Sequence, residues 1–190
     1  MAYQLRPFRD YSEHDVLNLF SYDTTALSAG SISVTKGTLV KIATGWENYS
    51  TGAALGGGLE FIGGAGTLQP TNVVSQRYGV TAKVVATTSG ETPVGMTLYD
   101  VKDVDENGEL LKYKPRKAAE MQAVIPGQAV PVVTRGIFLI EDVGGTPAAG
   151  GTAYAGANGQ VTATSNNAVA IGKFLGAKDD NNETLVKLEL

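Results

Sequence analysis

The chain has 190 residues, no Cys, a single His and a formal net charge of −4. The lack of Cys excludes disulfides, thiolate nucleophiles and cysteine-ligated metal centres, and the mildly acidic charge disfavours nucleic-acid binding, which needs a basic face. Residues 1–8 lack the apolar segment of a secretory signal, and no apolar run approaches the roughly 18 residues that cross a bilayer. We therefore expect a soluble protein, made in a cytosol, with one main domain and no contact with a membrane.

Residues 1–30 differ from the rest and are predicted to form an N-terminal arm. They hold the only His and several aromatic residues, show no alternation typical of a strand, and include Ser12, which could cap a short helical turn. Because apolar side chains in an arm are poorly solvated, we expect them to dock on a surface, either this chain's own barrel or a partner. The candidate partner-binding residues of the arm are Arg6, Phe8, Arg9, Tyr11, Leu17, Phe20 and Tyr22.

From residue 31 onward, short runs of β-forming residues alternate with clusters of Gly, Pro and Asn. A spacing of about ten residues, with Asn158-Gly159 as a hairpin signal, is typical of a small β-barrel or β-sandwich. We therefore predict an all-β domain over 31–190. Its predicted strands cover 38–42, 82–86, 93–101, 129–134, 136–143, 152–155, 160–164, 168–175 and 184–190.

One short helix is predicted within this domain. Pro115 suits the first helical position, good helix formers follow over 116–124, and Pro126-Gly127 would end the helix. Its buried face would consist of Ala118, Met121 and Ile125.

Residues 52–66 are too rich in Gly to form a strand without help. They predict a long mobile loop, and long loops in compact domains are often functional. Within it, Leu59 and Phe61 are candidate contacts with another molecule.

The run Asp103-Val-Asp105-Glu-Asn107-Gly108 matches the opening of a calcium-binding loop, with oxygen ligands at positions 1, 3 and 5 and Gly at 6. Its twelfth position is Lys114, where a bidentate Glu would be needed. We therefore favour a polar hairpin tip at 106–108, between strand-like residues on either side.

Other reactive groups give no convincing site. No Gly-rich loop has the spacing or the Lys of a phosphate-binding loop, and His14 stands without a nucleophile motif beside it. The basic residues of 112–117 follow the acidic residues of 100–109, so the two sets should neutralise each other, which suits a protein interface. We therefore predict no catalytic residue, no metal site and no cofactor.

Several C-terminal segments resemble the small β-barrel of capsid decoration proteins from tailed bacteriophages. They are Ala129–Ile140 with its Gly136-Ile-Phe-Leu139 strand entry, the Gly- and Ala-rich turn at 144–151, Thr152-Ala-Tyr154, Asn158-Gly-Gln-Val161, Val169–Gly176 and Leu185-Val-Lys-Leu188. The resemblance implies a protein that is assembled in the host cytoplasm onto the virion. There it would bind the outer capsid surface and cement neighbouring major capsid subunits, as a dimer or trimer, without catalysing a reaction.

Two other functional classes stay open. A carbohydrate-binding or adhesive β-sandwich could use Trp46 and Tyr49 as a stacking platform. A trimeric β-barrel nucleotide hydrolase would need an Asp or Ser constellation that the sequence does not reveal.

Overall fold

A computed structural model describes residues 5–28, 30, 32–45, 82–166 and 168–190, with the main chain alone for Pro7. Within these ranges the chain forms three β-sheets and one α-helix. The all-β prediction is therefore confirmed.

The strands are short, and most are separated by tight turns. In chain order they are β1 (Leu5–Asp10), β2 (Val16–Leu17), β3 (Ser21–Tyr22), β4 (Ser33–Val34), β5 (Leu39–Thr44), β6 (Lys83–Ala86), β7 (Gly95–Thr97), β8 (Asp100–Lys102), β9 (Ala123–Val124), β10 (Val132–Val133), β11 (Arg135–Glu141), β12 (Thr152–Ala155), β13 (Val161–Thr162), β14 (Ala170–Phe174) and β15 (Glu183–Glu189). The helix α1 covers Pro115–Glu120, and 3-10 turns occur at Glu13–Asp15, Leu111–Tyr113 and Ala157–Gly159.

The first sheet has the order β1-β11-β15-β14-β12-β13, and all of its strand pairs are antiparallel. Side chains alternate between its two faces, as the pleat requires. In β11, Phe138 and Ile140 are buried on the inner face, whereas Ile137 and Leu139 are half-buried on the outer face. The inner face carries most of the main hydrophobic core.

The second sheet has the order β2-β10-β7-β5-β6-β3, and the start of β5 and β10 carry buried residues on both of its faces. Leu39 and Val133 point into the main core, beside Phe138 of the first sheet. Their neighbours Val40 and Val132 point the other way, into a smaller cluster. The two sheets therefore enclose the main core in a barrel-like arrangement. The third sheet, β4-β8-β9, covers another small cluster.

The described part of the predicted N-terminal arm lies within these sheets. β1 pairs with β11, β2 pairs with β10, and β3 runs parallel to β6. The short turn expected at Ser12 is present, and the Ser12 side chain accepts a hydrogen bond from the His14 amide at 3.3 Å. The arm is expected to dock either on this chain's own barrel or on a partner. Its described residues pack on their own chain.

The predicted helix is too long at its C-terminal end. It ends at Glu120, because Gln122 takes a left-handed conformation with φ 51° and the next residues form β9 beside β8. Ala118, Met121 and Ile125 do pack together around Leu111, although Ile125 lies beyond the helix.

Three strand predictions also need correction. The predicted strand over 93–101 is divided into β7 and β8, which belong to the second and third sheets, with a bend at 98–99 between them. The predicted strands over 129–134 and 160–164 are reduced to the two-residue strands β10 and β13. The Asn158-Gly159 hairpin is confirmed, since both residues have positive φ and they connect β12 to β13.

Candidate protein-binding surface

Three of the predicted partner-binding residues are used by this chain's own packing. Phe20 is only 6% exposed, in the small cluster with Val84 and Val132. Leu17 and Tyr22 are half-buried against the same cluster, and the Tyr22 hydroxyl accepts a hydrogen bond from the Ala86 amide at 3.1 Å. These side chains are therefore not available as exposed anchors.

Arg6 connects three strands of the first sheet. Its guanidinium lies 2.9 Å from a carboxylate oxygen of Glu141 on β11 and 2.7 Å from one of Glu183 on β15. The two acids are register partners across these strands, so Arg6 relieves a repulsion between like charges. Its main role is to hold β1 in place.

The remaining described candidates, Phe8, Arg9 and Tyr11, lie at the outer edge of the first sheet. Phe8 is 53% exposed and Tyr11 is 37% exposed. The Tyr11 ring stacks on buried Phe138 with 5.8 Å between ring centroids, so one of its faces is fixed by the core.

Arg9 extends this surface toward the second and third sheets. Its guanidinium donates hydrogen bonds to the Leu98 carbonyl and to Oε1 of Gln122, both at 3.4 Å. Tyr99, which follows Leu98 at the bend between β7 and β8, is 39% exposed. We call Phe8, Arg9, Tyr11 and Tyr99 the strand-edge surface. Nothing in the sequence marks Tyr99 as a surface candidate, because it lies within the strand predicted over 93–101.

The main chain of β1 completes this surface. Among the residues that the structure describes, no strand pairs with the outer edge of β1. The Leu5 amide donates to the Lys36 carbonyl at 3.3 Å, and Nε of Arg9 donates to the Arg6 carbonyl at 3.4 Å. A charged side chain over a strand edge is a common protection against unwanted pairing. Aromatic rings with an Arg are also the composition typical of energetically dominant interface residues.

The calcium-like loop is a hairpin closed by internal hydrogen bonds. The buried Asp105 carboxylate accepts from the Asn107 amide at 2.8 Å, from the Glu109 amide at 2.9 Å and from Nζ of Lys117 at 2.6 Å. The Asp103 carboxylate accepts from the Ile32 amide at 3.0 Å. Both carboxylates are thus engaged by N–H donors. The Val104–Leu110 bridge confirms the hairpin tip, but the strand-like residues expected after it form the 3-10 turn Leu111–Tyr113.

Acidic groups with displaced pKa values have ordinary lysine partners. The hydrogen bond from Lys117 is the main cause that lowers the pKa of Asp105. A hydrogen bond from Lys41, followed by one from the Thr88 amide, lowers the pKa of Glu91 to about 2. Displaced pKa values often mark active sites, but here each acid faces an ammonium group rather than a nucleophile or a second acid. Ion pairs and local hydrogen bonds of the fold, such as those from Thr25 to Asp23, account for them.

The same ranges contain no group of three or more His, Asp or Glu side chains arranged to hold a metal ion. No helix in the described part of the chain is both long enough and apolar enough to span a membrane. The predicted contacts Leu59 and Phe61, the loop 52–66 and the stacking candidates Trp46 and Tyr49 lie outside the described residues.

Comparisons of the chain with protein-family models, with curated proteins and with solved structures found no match. The resemblance to capsid decoration proteins therefore rests on the sequence pattern alone.

Proposed function

We propose that this chain is a structural virion protein that binds the outer surface of an icosahedral phage capsid and cements neighbouring major capsid subunits. The observation that carries the proposal is the strand-edge surface, where Phe8 on β1 and Tyr11 just after it are exposed, and where Arg6 and the β1–β11 pairing fix the strand. A rigid platform binds more tightly than a free arm, because little conformational entropy is lost on binding.

The partner is a protein surface with an apolar recess for the aromatic rings. A carbonyl or carboxylate beside that recess would satisfy Arg9, whose present hydrogen bonds to Leu98 and Gln122 are long. Burying the exposed half of the Phe8 ring would contribute only ~1 kcal/mol. Such a contact is weak in isolation, but many copies on one lattice give a high effective concentration, so that weak contacts become sufficient.

The test is capsid binding by the full chain. Mass spectrometry of purified virions identifies the phage that carries it, and undecorated shells of that phage are mixed with purified chain and sedimented. We expect the wild-type chain to sediment with the shells and Phe8→Ala to bind at least several-fold more weakly. Tyr113→Ala is the matched control, since Tyr113 is 69% exposed in the 3-10 turn just before α1. Absence of the chain from every virion, or equal binding by Phe8→Ala and wild type, would overturn the proposal.

The two other classes have no supporting observation among the described residues. The carbohydrate-binding alternative depends on Trp46 and Tyr49, which are outside them. Binding of an immobilised glycan, or thermal stabilisation by a nucleotide with a divalent metal, would favour these alternatives over capsid binding.

A further inference from the structure

The outer face of the first sheet carries a row of leucines that faces away from the main core. Leu139 and Leu185 are register partners on β11 and β15, and the Leu175 amide donates to the Leu185 carbonyl at 2.8 Å on the next chain segment. Leu175 is 43% exposed, and the other two are half-buried. None of the three belongs to the hydrophobic clusters formed by the described residues. We call these three residues the leucine row.

Charges of opposite sign flank the leucine row, two residues away along each strand. On one side are Lys187 and its register partner Lys173, both exposed. On the other side are Glu141 and its register partner Glu183. The row therefore has a basic side and an acidic side.

Nearby residues reduce these charges without reversing them. Glu189 lies 2.6 Å from Lys187, and Asp10 is the register partner of Ile137 on the basic side, where Arg135 adds a further positive charge. This side keeps more positive than negative groups. On the acidic side, Arg6 binds both glutamates, and two carboxylates against one guanidinium leave it negative.

We propose that two copies of this chain pair face to face through this surface, about a two-fold axis that runs along the leucine row. With this axis each leucine meets its own copy, and the basic side of each copy faces the acidic side of the other. A two-fold axis parallel to the strands would instead place lysines against lysines and glutamates against glutamates. The partner that covers this face is a second copy of the chain, because the face itself carries both the basic and the acidic groups that pair across the interface.

The small area of this face predicts that the dimer is weak. The four strands β1, β11, β15 and β14 are five to seven residues long. Spaced ~4.8 Å apart, they cover at most roughly 19 by 24 Å, which is below the ~800 Å² per partner of a standard interface. The leucine row shares no residue with the strand-edge surface, although Phe8 lies between Arg6 and Asp10 on the β1 border of this face, and the dimer does not depend on capsid binding. If both hold, a dimer would offer a capsid two strand-edge surfaces at once.

The first test is the mass of the purified full chain, with no capsid present, by analytical ultracentrifugation from about 5 µM to about 500 µM, a range that covers weak association. We expect a rise from 19.8 kDa toward twice that value. Leu185→Glu should remain monomeric, and Leu110→Glu, at a site 41% exposed on the hairpin, should behave as wild type. Circular dichroism checks that each variant is folded.

The exposed pair Lys173→Glu with Lys187→Glu provides a second variant, in case Leu185→Glu fails to fold. It should weaken dimerisation at least tenfold while leaving the sheet intact. A wild-type chain that stays monomeric throughout, forms a trimer, or dimerises equally well in both variants would overturn the proposal.

The second test reports the direction of the axis and uses the absence of native Cys. With a short bismaleimide crosslinker, Leu185→Cys should link to itself. Residue 187 is displaced from the axis by two residues, about 7 Å, so Lys187→Cys should link poorly to itself but well to Glu183→Cys in a mixture. Equal self-linking at 185 and 187 would reject this axis.

Discussion

Lys117 on α1 donates a hydrogen bond over 2.6 Å to the Asp105 carboxylate, whose side chain is fully buried, and so joins the helix to the hairpin before it. The pairing lowers the pKa of Asp105 and raises the pKa of Lys117. The contribution of Asp105 to stability is therefore present above its unfolded pKa of about 3.8 and is lost as the pH falls through the lower folded value. The contribution of Lys117 to stability is lost only as the pH rises above its unfolded pKa of 10.5.

We expect Asp105→Asn to lower the free energy of unfolding at pH 7 and to make the stability of the variant less dependent on pH below about 4. Urea denaturation at neutral and acidic pH measures both effects. Asp180→Asn, at an exposed turn position, is the control and should follow the wild-type curve. A stability difference between Asp105→Asn and wild type that is the same at pH 7 and at pH 2 would contradict this account.

Arg6 provides the second prediction. We expect Arg6→Met to destabilise the fold by about 1 kcal/mol, because Glu141 and Glu183 then face each other without a cation. Adding Glu141→Gln and Glu183→Gln should recover most of that loss. Thermal or urea unfolding of the wild-type, single and triple variants measures it, and an equally unstable triple variant would show that the charge of Arg6 is not the cause.

Most strands of the C-terminal half could be predicted because each carries its own alternation and is bounded by turn residues. The predicted strand at 152–155 coincides with β12, and those at 136–143 and 184–190 differ from β11 and β15 by one or two residues. The Asn158-Gly159 turn could also be predicted from the local sequence, since both residues accept the positive φ that the turn needs.

The N-terminal strands could not be predicted because their pairing is long-range. β1 contains Pro7 and no β-branched residue, and it is a strand only because β11, far along the chain, offers it an edge. The helix end was missed for a different reason. Gln122 takes a left-handed conformation that Gly or Asn usually provides, so the sequence contains no stop signal there.

The candidate surface was only partly predictable. Aromatic residues in 1–30 marked an apolar segment, but burial depends on which sheet each residue meets. Phe8 ended on an outer edge and Phe20 within a core cluster, although both are Phe in the same segment. The leucine row was not found because its members are distant in sequence and meet only through strand pairing.

Gly172 supplies the third prediction. Its φ is +154°, and a Cβ there would lie 1.9 Å from the Lys187 carbonyl oxygen, inside the β14–β15 pair. We expect Gly172→Ala to cost several kcal/mol, because main-chain atoms of a central strand would have to move. Gly176→Ala is the control, since no atom lies within 4 Å of its added Cβ. Thermal unfolding compares the two, and equal melting temperatures would contradict the close approach.

The fourth prediction compares two Asn-Gly pairs, at 107–108 and 158–159, in spontaneous deamidation. In this reaction the Gly amide nitrogen attacks the Asn side-chain carbonyl carbon, ammonia leaves, and the resulting succinimide is hydrolysed to Asp or isoaspartate. The backbone must therefore rearrange locally. Asn107 and Gly108 are both exposed at the hairpin tip, and a Cβ on Gly108 would meet no atom within 4 Å.

Gly159, in contrast, is buried. Both glycine amides donate a hydrogen bond, that of Gly108 to the Asp105 carbonyl within the hairpin at 3.1 Å and that of Gly159 to the Thr87 carbonyl of a distant segment at 2.8 Å. A Cβ on Gly159 would lie 2.4 Å from the Thr38 methyl group, so this turn is confined against β5. We expect Asn107 to deamidate several-fold faster than Asn158 in the folded chain, as measured by peptide mapping with mass spectrometry after incubation in mildly alkaline buffer. In urea-unfolded chain the two rates should converge, because both sites have the same Asn-Gly chemistry. Equal rates in the folded chain would mean that packing against β5 does not restrain the 158–159 turn.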